Sequence, residues 1–161
     1  MMWIIRAGQD SLYFEKYLEN SKVYIPWDGY KMDLSKIETR ADFRTVVEKE
    51  KETDNQTSVS NWAGQLFTFT QEMTIGDYVL IPSKGSRTYS LAEITGGYHF
   101  DKNEKDKLYH SRTIEIIETG IPRDIFSQSV IYSLGAFRTI FKAKHEEEIL
   151  DSIKKWREGH K

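Results

Sequence analysis

The chain has 161 residues, with 23 basic against 25 acidic side chains, 39% hydrophobic residues and no cysteine. That is one domain of ordinary size, long enough to bury a core without a metal or disulfide staple. The missing cysteines exclude thiolate catalysis, a disulfide framework and a thiolate zinc site, and the near-balance of charge confines any nucleic-acid binding to a local basic face.

Residues 2–6 read as a short buried strand, with Gly8 as a turn. Apolar side chains at 13, 14, 17 and 18 share one face of a helix. Residues 23–25 read as a second strand that Pro26 ends, followed by Trp27-Asp28-Gly29-Tyr30, a turn with an aromatic on each side. Residues 34–52 have helical spacing in two pieces. Thr39 and Asp42 make a capping-box pattern with Asp in the Glu position, Phe43, Val46 and Val47 form the buried stripe, and the charges at 48–52 make a solvated end. Residues 53–60 are polar and loop-like. Ser60 is placed to cap a helix over 61–73, with Trp62, Leu66, Phe69 and Met73 on one face.

After Gly76 the period changes. Residues 78–81 are a continuous apolar run, typical of a central strand, and 82–86 a turn. Residues 88–100 are β-prone, bent or bulged at Gly96-Gly97. Residues 101–107 are a charged hairpin loop, and 109–119 are again β-prone. Residues 122–135 hold one or two short helices, 137–141 a last strand, and 146–156 an amphipathic helix with Ile149, Leu150, Ile153 and Trp156 inward. Strands and helices do not alternate regularly, which argues against a doubly wound parallel sheet. The pattern predicts an α+β fold with a mostly antiparallel, barrel-like sheet. No apolar run approaches the roughly 18 residues of a membrane span, and no signal-peptide pattern opens the chain. The expectation is a cytoplasmic protein with no membrane partner.

Catalytic patterns are sparse. The histidines are His99, His110, His145 and His160, and none has a short metal-ligand spacing. His99 and His110 are placed to face each other across a hairpin, while His145 and His160 fall on the solvated C-terminal helix. No lysine has Asp or Glu two positions before it, which argues against the common nuclease core, and there is no nucleophile elbow or phosphate loop. No metal and no cofactor are expected, and the chain reads as a non-enzyme.

Three places mix large aromatics with small or polar residues: Trp27-Asp28-Gly29-Tyr30, Asn61-Trp62-Ala63-Gly64-Gln65 and Gly97-Tyr98-His99-Phe100-Asp101. Facing aromatics can sandwich a planar base, and Asp, Asn or Gln can bond its edge. On an apolar helix face, however, Trp62 is also an ordinary core residue. Between positions 84 and 112, Lys84, Arg87, Lys102, Lys105, Lys107 and Arg112 outnumber Glu93, Asp101, Glu104 and Asp106. That surplus is either a phosphate-binding face or a solvated hairpin.

The order of Trp3-Ile4-Ile5-Arg6-Ala7-Gly8, Trp27-Asp28-Gly29, Asp33-Leu34-Ser35, Ala63-Gly64-Gln65-Leu66, Gly76-Asp77-Tyr78-Val79-Leu80, Ala92-Glu93-Ile94-Thr95 with Tyr98, and His110-x-Arg112 resembles the EVE-like branch of the PUA superfamily. Ser133-Leu134-Gly135-Ala136 and Thr139-Ile140-Phe141 extend the likeness over residues 2–143. It is most similar to N-terminal reader domains of Mrr-type and related modification-dependent restriction endonucleases. The resemblance implies a twisted, partly closed β-barrel flanked by helices over residues 1–143, followed by one helix over 144–161. It implies DNA carrying a modified base as partner, the base flipped into an aromatic pocket, with RNA or a small planar ligand as alternatives. Trp27 would be the first wall and Trp62 or Tyr98 the second. Arg6, Ala7 and Gly8 would form the floor, Asp28 or Asp101 would bond the base edge, and Ser83 would stand at the rim. Lys84, Arg87, Lys102, Lys105 and Arg112 would meet phosphates. One departure is Tyr30-Lys31-Met32, where the family carries an asparagine after Trp-Asp-Gly. The nuclease module that usually follows such readers is absent, so the reader either stands alone, with a nuclease subunit acting in trans, or is part of a larger enzyme.

Overall fold

The computed structural model describes residues 1–159; His160 lies outside them. They form an α+β fold with one curled, partly closed sheet flanked by helices. The strands are β1 (Met2–Ile5), β2 (Lys22–Tyr24), β3 (Tyr78–Ser83), β4 (Thr88–Ile94), β5 (His99–Phe100), β6 (His110–Pro122) and β7 (Ile140–Lys142). The helices are α1 (Phe14–Asn20), α2 (Arg40–Lys51), α3 (Gln56–Phe67), α4 (Gln128–Leu134) and α5 (Glu146–Gly159). The strand order is β2-β6-β4-β3-β1-β7, with β5 also on β6. Only β1 and β3 pair in parallel, with Trp3 opposite Val79; the other pairs are antiparallel.

The apolar runs of β1 and β3 are explained by burial on both faces. Trp3, Ile5, Val79 and Ile81 enter one core with Phe43 and Val47 of α2 and Val59, Ala63 and Leu66 of α3. Met2, Ile4 and Leu80 point the other way, into a smaller core with Val130 and Leu134 of α4 and Ile149 and Ile153 of α5. The period-2 alternation of a strand thus feeds two helical layers.

Several boundaries differ from the sequence reading. Residues 34–39 are not helical; α2 starts at the cap Thr39, whose hydroxyl accepts from the Asp42 amide at 3.1 Å. α3 starts five residues before the expected 61, because the Asn55 side chain accepts from the Ser58 amide and takes the cap role from Ser60. It ends in a π-helical turn, Thr68–Glu72. The chain bends at Gly96-Gly97, but the register shifts between β4 and β6 lie near Tyr89 to Ala92. The last strand is confined to Ile140–Lys142, and Phe137 is fully exposed.

Candidate functional site

At the end of β1 the chain turns sharply. The Arg6 amide donates to Thr139 O at 2.9 Å and its guanidinium to Leu134 O at 3.0 Å. Ala7 is buried beneath. Gly8 has φ +85°, and a Cβ there would meet Tyr13 Cδ2 at 3.0 Å, so glycine alone makes this turn without strain. A 3-10 turn, Gln9–Ser11, follows, with Asp10 and Ser11 also left-handed. Ser11 Oγ donates to Pro82 O and accepts from the Lys84 amide at 2.9 Å, which ties this turn to the β3–β4 hairpin.

Trp27 follows Pro26 at the end of β2. Its indole N–H donates to Thr139 Oγ1 at 3.2 Å. The Trp62 ring of α3 meets it edge-on, with centroids 4.3 Å apart and planes at 75°, and Tyr30 packs 6.4 Å away. Lys51, the last residue of α2, places its ammonium 4.4 Å from the Trp62 centroid, a cation–π geometry. Gln65 is buried, and its Oε1 accepts from the amides of Thr139 and Ile140, both at 3.0 Å. Gln65 therefore fixes the chain where it enters β7, at Thr139, the partner of Trp27.

These elements surround a cleft of about 960 Å³. Of the residues singled out from sequence, Arg6, Gly8, Trp27, Asp28, Trp62, Ser83, Lys84 and Arg87 line it. Ser83 shares a chain of hydroxyls with Ser86 and Thr88 at the rim. Lys84 is held by Asp10 at 2.7 Å. Five basic side chains (Arg6, Lys51, Lys84, Arg87 and Arg123) and two acidic ones (Asp10 and Asp28) line the cleft. Burial lowers the pKa of Arg6 from its ordinary value. The arrangement suits a planar, anionic ligand: an aromatic corner supplies the stacking surface and the rim supplies cations.

Other expectations fail, each for a visible reason. Trp62 is not a second parallel wall, because its edge touches Trp27 and leaves no slot between the rings. Tyr98 is not a pocket wall. Its hydroxyl accepts from the Leu34 amide at 3.0 Å and bonds His110 Nδ1 at 2.6 Å, away from the cleft. Asp101, Lys102 and Lys105 are exposed on the β5–β6 loop and do not line the cleft. Arg112 cannot meet phosphates: it is 4% exposed and donates to the carbonyls of Phe69, Thr70 and Gly96. His99 does not face His110; Phe100 does. His110 donates from Nε2 to Tyr30 O at 2.7 Å, which leaves Nδ1 to accept from Tyr98. Burial pushes its pKa down to about 4. No group of three or more candidate metal ligands occurs among the described residues. No helix among them is long and apolar enough to cross a membrane.

Sequence reasoning missed the Gln9–Ser11 turn, Lys51, Arg123 and Thr139. The β1–β7 pairing brings Thr139 to Trp27, the end of β6 brings Arg123, the end of α2 brings Lys51, and the tie to the β3–β4 hairpin holds the Gln9–Ser11 turn. Gln65 carried a detectable signal, an amide on the inward side of an otherwise apolar helix.

No curated protein matches the chain. Among solved structures it is similar to the X-ray crystal structure of protein Atu2648 from Agrobacterium tumefaciens. The two are 14% identical in sequence with a TM-score of 0.47, over 95% of this chain and 90% of that one. A family model matches residues 2–141, and the chain belongs to that family, described as Domain of unknown function (DUF8426).

Proposed function

We propose that the cleft is a base-reading site of the EVE-like kind, taking a modified base extruded from DNA, and that the chain is a binding module rather than an enzyme. The observation that carries this reading is a braced tryptophan corner inside a basic rim, on a chain whose formal net charge is −2. The Trp27 ring is held by Thr139 and Trp62, is partly exposed and lines the cleft, which places it to stack on a base. Stacking on an aromatic contributes about 1–3 kcal/mol per base, enough to offset much of the few kcal/mol that extrusion costs. Asp28, exposed at the mouth, supplies an acceptor for an exocyclic amine. Arg87 and Arg123 supply phosphate contacts, which set register rather than sequence. The volume, near the top of the roughly 300–1,000 Å³ range of ligand pockets, suits a whole nucleotide.

The test is a titration at fixed, moderate salt with one duplex in four forms: unmodified, or carrying 5-methylcytosine, 5-hydroxymethylcytosine or N6-methyladenine. One mark is expected to bind about tenfold more tightly, the effect of an added methyl group packing against the tryptophan corner. Trp27→Ala is expected to abolish that preference while the circular dichroism spectrum stays unchanged. Equal or undetectable binding of all four forms would remove these marks. RNA or a small planar ligand would then be next, separated by salt, since backbone binding falls steeply with it.

A further inference from the structure

Beside the cleft runs a second, wider groove of about 1860 Å³, between the first turns of α3, helix α4 and the chain around β7. The two share a wall at Arg123, Ile131, Gly135 and Phe137. The charge of the groove is one-sided: Arg123, Arg138, Lys142 and Lys144 line it, and no aspartate or glutamate does. On a chain with more acids than bases, that is not average surface. None of these four forms an ion pair among the described residues, whereas Lys16, Arg40, Lys84 and Arg157 each hold a carboxylate. The groove also carries two bare rings, Tyr132 at 88% and Phe137 at 103% exposure. Neither ring packs into either core.

Four unpaired cations without an acid select a polyanion. Exposed rings set among them select one with free planar faces, because bases inside a duplex are already stacked on each other. We infer that this groove holds the unpaired strand flanking the base in the cleft, with its cations on phosphates and Tyr132 and Phe137 stacked on neighbouring bases. The inference rests on the base-reading proposal, since the shared wall at Arg123 and Phe137 joins the two occupants into one strand. Single-stranded nucleic acid therefore binds better than the duplex of the same sequence.

The experiment is fluorescence anisotropy of labelled single-stranded DNA and its duplex, with and without the preferred mark, across a salt series. It compares the parent chain with the triple variant Arg138→Glu, Lys142→Glu, Lys144→Glu, none of which lines the cleft. The triple variant is expected to lose about tenfold or more in single-strand affinity and about 2 from the log–log salt slope, at about 0.7 per phosphate contact. The ratio of marked to unmarked binding is expected to persist. Tyr132→Ala is expected to weaken single-strand binding more than duplex binding. If the charge reversal alters the thermal melt, the triple change to Gln at the same positions gives the same readout. A triple variant that binds like the parent overturns the inference and leaves base reading standing if the mark preference survives. Loss of single-strand binding in the triple variant, with no preference for any mark in the parent, supports the groove and overturns the base reading. A parent chain that binds no oligonucleotide overturns both.

Discussion

The cleft around Trp27 and the hairpin cluster around His110 contain similar residues and behave oppositely. Each joins aromatic rings to polar side chains beside a turn. In the hairpin cluster the polar atoms of Tyr98 and His110 bond inside the protein: the Leu34 amide donates to the Tyr98 hydroxyl, that hydroxyl to His110 Nδ1, and Nε2–H to the Tyr30 carbonyl. The Tyr98 and His110 rings stack at 5.7 Å, and burial raises the Tyr98 pKa to about 12. This closed chain pins the loop after β2 onto β6. In the cleft Trp27 and Arg6 are tethered and Lys84 is held by Asp10, while Asp28, Lys51, Arg87 and Arg123 stand exposed around open space. Residue type alone does not separate a lock from a site; the destination of the polar atoms does.

The sharpest way to break the contrast is at Arg112, which the sequence offers as a phosphate contact and the structure uses as a bolt. Its guanidinium satisfies the carbonyls of Phe69 and Thr70 where α3 ends in the π-helical turn, and a cation there also suits the helix dipole. Arg112→Leu leaves buried carbonyls unpaired and is expected to cost about 4 kcal/mol, at about 1–3 kcal/mol each. Urea denaturation checks it. A loss below about 1 kcal/mol, the net worth of a single ordinary hydrogen bond, would mean that the turn does not depend on Arg112.

The next effect is a pH dependence that belongs to the hairpin and not to the cleft. His110 is 2% exposed, and its folded pKa of about 4 lies below the usual 6.5. The unfolded chain therefore binds a proton that the native state refuses. Stability is full above pH 6.5 and falls as pH drops toward 4, by up to about 3 kcal/mol. The carboxylates held below their ordinary range (Asp33, Asp77, Glu104 and Asp106) lose their contributions only at lower pH. The fall between pH 6.5 and 5 is therefore the histidine's own. Urea midpoints across that window that do not move would show that His110 titrates normally.

What the sequence made legible follows from range. β1 and β3 were readable because a strand buried on both faces must be continuously apolar, and Phe43 and Val47 because a helix repeats every 3.6 residues. Trp27, Asp28 and Trp62 stood out as aromatics among small and polar residues, whereas Arg6, Gly8 and Ser83 were singled out only through the family resemblance; no periodicity places Trp62 beside Trp27. Arg112 and Tyr98 misled because a buried arginine bonding carbonyls and a solvated one have the same local sequence. Asn55 and Ser60 both fit the N-cap rule, so local sequence does not choose between them, and burial of Val59 does. Lys51 and Arg123 lay beyond any local signal, since their places depend on how α2 and β6 end.

Gln65 sharpens the comparison from inside the cleft. Its Oε1 holds the Thr139 and Ile140 amides and so sets the distance between Thr139 and Trp27. Gln65→Leu keeps the helix and the volume but orphans two amides. It is expected to cost about 2 kcal/mol in urea denaturation, one to two buried hydrogen bonds, and to weaken ligand binding without abolishing mark preference. Ligand affinity equal to the parent's would show that Trp27 needs no support from β7.

The smallest expected effect is the most diagnostic. Lys102 and Lys105 stand on the β5–β6 loop, exposed, beside Asp101, Glu104 and Asp106. Lys16 of α1 already bonds Glu104 and Asp106 and fastens the loop to the body of the fold. The local field there is nearly balanced, and neither lysine lines the cleft or the groove. Lys102→Ala with Lys105→Ala is expected to leave nucleic-acid affinity and the salt slope unchanged and to move stability by less than about 0.5 kcal/mol, as surface changes usually do. Removing a single lysine that neutralises a phosphate would lower the slope by about 0.7–0.9, so the salt series detects even one. A drop of that size would move the nucleic-acid track from the α4 side of the cleft to the hairpin, and the closed lock and the open site would then share one ligand.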